Sequence, residues 1–311
     1  MKKSNYVSVP KNTKAKFHHN GDAFFFLFPW ILGMALMVIG PMVLSFYFSL
    51  TNYNLLSAPR WVGFENYINL FNDTVFLNSL KLTFIYIVAS IPLKLICALG
   101  VALLLNKGIS GLGFYRTLYY LPSLLGGSVA ISILWRNMFN KEGLFNKVLG
   151  YLGLHNLPDW INNPRFAMYT LVVLTFWQFG SSMVIFMSGL KQVPEEHYEA
   201  AAIDGAGKVR QFFYITLPHL SPLILFNLIM QTIMGLQNFT PAYIISGGTG
   251  GPLDSTMLYS LLLYLEGFAW LHMGSASAMA WLLVLLISVF ILIVFGSSKY
   301  WVHYEDGGKI L

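Results

Sequence analysis

"EAAAIDGAGKVRQFFYITLP", residues 199–218, is a polar island in a chain that is otherwise apolar almost throughout. With the preceding "VPEEHY" it reads as a short helix: Pro194 suits the first helical position, and Glu195 and Glu196 suit the positive end of the helix dipole. Ala200, Ala201 and Ala202 favour helix and offer a smooth side that another protein could approach closely. "DGAG", from Asp204, breaks the helix, because glycine readily takes the left-handed conformation at a helix end. "KVRQFFYI" gives a second short helix, and Leu217-Pro218 is expected to close it.

The surroundings decide what such an island is for. The chain is 56% hydrophobic and 10% charged, whereas a soluble domain carries about 25% charged residues. Lipid is therefore the solvent for most of it. The single cysteine, Cys97, lies in an apolar run and rules out an internal disulfide framework. A net charge of +6 is not read as nucleic-acid binding; in a membrane protein it mostly reports which loops face the cytoplasm.

Crossing a hydrocarbon core takes roughly 20 apolar residues as a helix. Six stretches qualify, at 23–50, 79–105, 114–135, 166–190, 220–245 and 275–297. The first is too long for a signal-peptide core and lacks a small-x-small cleavage site, so it reads as a retained span. Residues 257–271, "MLYSLLLYLEGFAWL", are apolar but short and hold Glu266. They are expected to be an external surface or re-entrant helix, with a seventh span as the alternative. The layout is a tail at 1–22, a first helix at 23–50, a core at 75–298 and a tail at 299–311.

Lysine and arginine set the orientation. Lys2, Lys3, Lys11, Lys14, Lys16, Lys107, Arg116, Lys191, Lys208, Arg210, Lys299 and Lys309 fall on one side. Arg60, Arg136, Lys141, Lys147 and Arg165 fall on the other, and Lys81 and Lys94 lie within a span. The larger group marks the cytoplasm, which puts both termini and the 191–218 loop there, although the 136–165 loop is more basic than an external loop should be. Two short helices joined by a bend suit docking into a cleft on a soluble partner. The same loop would equally suit a helix lying along the headgroups with Phe212 and Phe213 buried.

Glu199-Ala200-Ala201, then Gly205, Ile215 and Leu217-Pro218 at their spacings, resemble the EAA loop of bacterial ABC-importer permeases. Residues 78–106, 114–125 and 247–283 are similar to the carbohydrate-uptake branch, which includes the maltose and glycerol-phosphate permeases, and "KYWVHYEDG", 299–307, is similar to the first of the two permeases usually paired there. The resemblance implies an all-α integral membrane protein of the type I importer permease fold, in the bacterial cytoplasmic membrane. It implies as partners a second homologous permease, two copies of a cytoplasmic ATPase holding ATP and magnesium, and an extracytoplasmic solute-binding protein delivering a carbohydrate. In that family the loop docks into a groove on the ATPase, whose closure rocks the permeases between inward- and outward-facing states. Glu199, Ala200, Ala201, Asp204, Gly205, Ile215, Leu217 and Pro218 would then be coupling residues.

What is missing narrows the function independently. "GAGKV", 205–209, offers Gly-Lys, but valine follows and Ala202 stands where a phosphate-binding loop has its first glycine. ATP hydrolysis is thus expected in a partner. The seven histidines are scattered without metal-ligand spacing, and no nucleophile elbow occurs, so no catalytic, metal or cofactor residues are assigned. Every Asp and Glu lies outside the six stretches. Ion-coupled carriers commonly bind their ion with acidic groups in the membrane, which weakens that rival without removing it.

Neutral polar groups are where a sugar would be handled. Asn227, Gln231 and Asn238 in the fifth span fall within roughly 40° of one another at 100° per residue. Thr175, Gln178 and Ser182 make a similar stripe in the fourth, beside Trp177. Amides and hydroxyls can exchange hydrogen bonds with a polyol, and an aromatic ring can cover a sugar's apolar face. Interhelical packing would use the same residue types. Lys94 either snorkels to the headgroups or faces the interior, where an anionic sugar would suit it. The glycine-rich 246–255 segment is expected to be an external loop.

Overall fold

The computed structural model describes residues 20–108 and 110–303, which leaves most of the two tails outside the described residues. Two compact units divide at Tyr47/Phe48. The first holds Asn20–Met34, one wide π-helical turn, Ala35–Ile39, and all but the last two residues of the helix Gly40–Ser49; Phe24–Ser49 is long and apolar enough to cross a membrane.

The second unit begins with a two-residue hairpin, Thr51 opposite Trp61 and Asn52 opposite Arg60, followed by Glu65–Asn72. Asp73 then caps the helix Thr74–Leu105, its Oδ1 accepting from the Val75 N–H at 2.8 Å. That cap starts the second span five residues before hydropathy alone does. Ala167–Leu190, Lys208–Leu236 and Met273–Trp301 also have membrane length.

Two expected spans have a different form. The stretch at 114–135 is no straight helix: Leu112–Leu125 and Val129–Tyr151 meet at 95° across the Gly126-Gly127-Ser128 break. Two glycines weaken the helix there, and the Ser128 hydroxyl caps the next helix by accepting from the Ile131 N–H at 3.3 Å. The fifth span ends at Leu236 rather than 245, and a separate helix, Thr240–Ile245, follows after a turn. Asn238 therefore lies off the helical stripe that its spacing suggested.

For segment 257–271 the surface-helix form is corrected. Its helix Tyr259–Tyr264 and the wide turn Leu265–Ala269 are inside the unit rather than on its surface, with Tyr259, Leu261, Leu262 and Glu266 buried. At eleven residues it is too short to be a seventh span. Its first N–H groups would be orphans in an apolar setting. The Thr83 hydroxyl accepts one of them, from Tyr259 N, at 2.8 Å, and the Tyr259 hydroxyl donates to the Met279 carbonyl at 2.6 Å.

In lipid there is little hydrophobic drive between helices, so close packing and hydrogen bonds must hold them. Ala98 and Ala102, four apart on the Thr74–Leu105 helix, let it approach Met183, Phe186 and Met187 of Gly180–Leu190. A second buried cluster joins Phe76, Tyr86 and Tyr259 with Trp135, Phe139 and Leu171. Lys94 lies on the long helix between the cluster of Tyr86 and the cluster of Ala98.

Candidate functional site: a polar cavity and a bent loop

Between the two clusters is a cavity of about 240 Å³. Tyr86, Ser90 and Lys94 face it from the second span, at i, i+4 and i+8, which stacks them on one side of a helix. Thr175 and Gln178 enter from the fourth span, Gln231 from the fifth and Asn238 from the turn after it. Of the expected path residues, Lys94, Gln178, Gln231 and Asn238 are thus brought together.

Their hydrogen bonds explain why polar groups are tolerated here. Lys94 Nζ donates to Gln231 Oε1 at 2.8 Å, and Gln231 Nε2 donates to Ser182 Oγ at 3.4 Å. The Tyr86 hydroxyl shares a hydrogen bond with Thr175 Oγ1 and accepts from Asn238 Nδ2. Three spans distant in sequence, with the turn that follows the fifth, meet in these contacts. A buried polar group without a partner is costly, so each bond also fixes where its helix can sit.

Trp177 and Asn227 are elsewhere. Trp177 stacks near Trp135, ring centroids 5.6 Å apart, in the apolar cluster; one residue from Gln178 is about 100° around a helix, away from the cavity. Asn227 is buried and donates from Nδ2 to the Leu223 carbonyl one turn back, at 2.9 Å. Tyr86 and Ser90 were not among the expected path residues. Their spacing, eight and four residues before Lys94, is the signal that would have found them.

The break in the fourth span positions Gln178. Ala167–Trp177 ends there and Gly180–Leu190 begins two residues on. A Cβ on Gly180 would run into the Tyr119 carbonyl oxygen, so glycine is what lets this break approach the third span's backbone. Ser123 ties the two breaks together, donating from Oγ to the Gln178 carbonyl at 3.0 Å and accepting from Ser181 N at 2.9 Å.

The 195–218 loop has the expected helix and bend. Glu195–Ile203 is preceded by Pro194, which stands just outside the helix with ψ 133° rather than in its first position. Gly205 has φ +78° and an open space around its absent Cβ, so backbone conformation alone requires glycine there. The Ala206 N–H donates to the Ala201 carbonyl at 2.8 Å, closing the helix end. Gln211 Nε2 donates to the Ala206 carbonyl at 3.1 Å, and the Tyr198 and Thr216 hydroxyls lie 2.9 Å apart, which holds the bend. Glu199, Ala200, Asp204 and Gly205 are exposed; Ala201, Ile215, Leu217 and Pro218 are half-buried.

Leu217-Pro218 does not close a helix. Lys208–Gln211 continues through a wide π-helical turn, Phe212–Thr216, into Leu217–Leu236. Proline lacks the N–H that the ladder needs, and a wider turn is a common way for a helix to accommodate such an interruption. Phe213 is exposed and Phe212 half-buried at the foot of this helix.

Residues 71–302 match the family model described as a binding-protein-dependent transport system inner membrane component. The probable ABC transporter permease protein YesP of Bacillus subtilis is 47% identical over 97% of this chain and 98% of its own length. The lactose transport system permease protein LacF of Rhizobium radiobacter is 30% identical over 94% and 99%. A chain of the bacterial alginate ABC transporter, crystallised with an alginate pentasaccharide-bound periplasmic protein, superposes with a TM-score of 0.69 at 19% identity, over 89% of this chain and 93% of that one. Matched over most of its length, this chain belongs to the family of inner-membrane permease components of binding-protein-dependent transport systems.

Proposed function

We propose that the chain is one of two permeases in an ATP-driven importer of a sugar or oligosaccharide. The observation that carries this is the cavity itself. Amides and hydroxyls from three spans and a turn converge in an otherwise apolar set of helices, and among the described residues no carboxylate lines it. Such a lining exchanges hydrogen bonds with a polyol, and it holds no acidic group for a coupling ion. The lactose named for one relative supports the carbohydrate class.

The second permease is a homologue of this one, and the pair carries two copies of an ATPase that holds ATP and magnesium. A solute-binding protein on the outer side delivers the cargo, as the family's dependence on such proteins suggests. The 195–218 loop and both termini face the cytoplasm. Glu199, Ala200, Ala201, Asp204, Gly205, Ile215, Leu217 and Pro218 transmit the ATPase's motion to the fifth span. The continuous helix from Lys208 to Leu236 supports this, since a push on the loop reaches Gln231 through one rigid element. Ile203 is 87% exposed and Val209 73%, apolar surface at the bend that suits a docked partner.

Uptake of labelled oligosaccharides by cells carrying the whole system tests this. Accumulation should stop when ATP is depleted and persist when an ionophore collapses the ion gradient with ATP intact. The reverse pattern would make the chain part of an ion-coupled carrier.

A further inference from the structure

Lys94 is 6% exposed and, among the described residues, is the one charged residue lining the cavity. An ammonium has three donor protons. Among the described residues its hydrogen-bond partner is a neutral amide oxygen, Gln231 Oε1. Snorkelling does not account for it. Leu105, the end of the helix, is eleven residues on, about 16 Å along the axis, more than a four-carbon stem spans. The Gln231 amide, itself bonded to Ser182, also holds the lysine head against the cavity. A buried ion with no counter-charge is costly, and an apolar residue of similar volume would pack there at less cost. A counter-charge brought to the cavity from outside the described residues would offset that cost.

We propose that the cavity is built for an acidic carbohydrate, with Lys94 pairing with the carboxylate of a uronic-acid unit. Gln178, Gln231 and Asn238 then face the sugar's hydroxyls. This rests on the importer reading above and goes further by naming the cargo's charge.

The test uses cells with the complete importer, expressing wild type, Lys94→Gln or Lys94→Arg over a deletion of this chain. They receive equal amounts of labelled uronic-acid oligosaccharides and the same oligosaccharides with each carboxylate reduced to an alcohol. Mass spectrometry reads what accumulates. Wild type should favour the acidic pool, Lys94→Gln should lower its uptake about tenfold or more, and Lys94→Arg should retain most of it. Lys94→Met, which keeps the stem's volume, replaces the glutamine variant if that one fails to assemble with the second permease. Equal acidic uptake by wild type and the neutral variant, or a wild-type preference for the reduced pool, would overturn the charge assignment and leave the importer reading standing. No chain-dependent uptake from either pool also overturns it. Whether the importer reading falls too is then decided by whether an ATPase co-purifies with the chain.

Discussion

Lys94 on the second span and Gln231 on the fifth are 137 positions apart and meet through a 2.8 Å hydrogen bond from Nζ to Oε1. Gln231 also accepts a second role, donating to Ser182 on the fourth span. One amide thus joins three helices around the cavity. Asn227, one turn earlier on the same helix, bonds among the described residues to the Leu223 carbonyl of that helix.

That contrast gives the first prediction. Gln231→Leu should lower uptake at least tenfold while the chain still assembles, because it strips the cavity of an amide and leaves the Lys94 head unpartnered. Asn227→Leu should leave uptake per assembled chain within about twofold, since its side chain satisfies only its own helix. Initial uptake rates, normalised to assembled complex, separate the two.

Tyr86→Phe removes a hydroxyl shared by Thr175 and Asn238. Two polar groups lose a partner, at about 1–3 kcal/mol for a buried one. Thermal unfolding of the purified complex should shift downward, and transport should fall with it. An unchanged unfolding temperature would mean that the three groups do not depend on one another.

Gly180→Val puts a branched side chain where even one Cβ meets the Tyr119 carbonyl. Backbone cannot yield as a flexible side chain does, so a loss of about 1–3 kcal/mol or more is expected. Reduced yield of assembled complex in membranes, measured against Gly180→Ala, checks it; alanine should be milder but still impaired.

At Gly205 the left-handed backbone is the whole constraint, because nothing lies near the absent Cβ. Gly205→Val should cost about 1–2 kcal/mol at the bend and misalign the helix that follows. Gly205→Asn should be tolerated better, since asparagine visits that conformation. With both variants expressed equally, the valine variant should retain less ATPase on co-purification. Equal retention would remove the bend from the coupling path.

The apolar runs and the glycine bend were legible in the residues because each depends on local chemistry alone. Composition placed the chain in lipid, and hydropathy located Phe24–Ser49, Thr74–Leu105, Ala167–Leu190 and Met273–Trp301 closely, but put the fifth span at 220–245 where the helix is Lys208–Leu236. The left-handed turn at Gly205 followed from a glycine after a short alanine-rich helix. The family was legible in the spacing from Glu199 to Pro218, and its carbohydrate-uptake branch in residues 78–106, 114–125 and 247–283.

Where helices break was not readable in the same way. Gly126, Gln178 and Leu236 each end a helix inside or beside an apolar run, and hydropathy carries no signal of direction. Helical arithmetic put Asn227 beside Asn238 on one stripe, but the turn after Leu236 takes Asn238 to Tyr86 instead. The interior place of Tyr259–Tyr264 depends on Thr83, 176 positions away, satisfying one N–H. The sequence by itself determined which segments enter the membrane, because transfer from water to lipid is additive over local residues. Tertiary structure alone decided which polar side chains share the cavity, because in lipid each must find its hydrogen-bond partner on another helix.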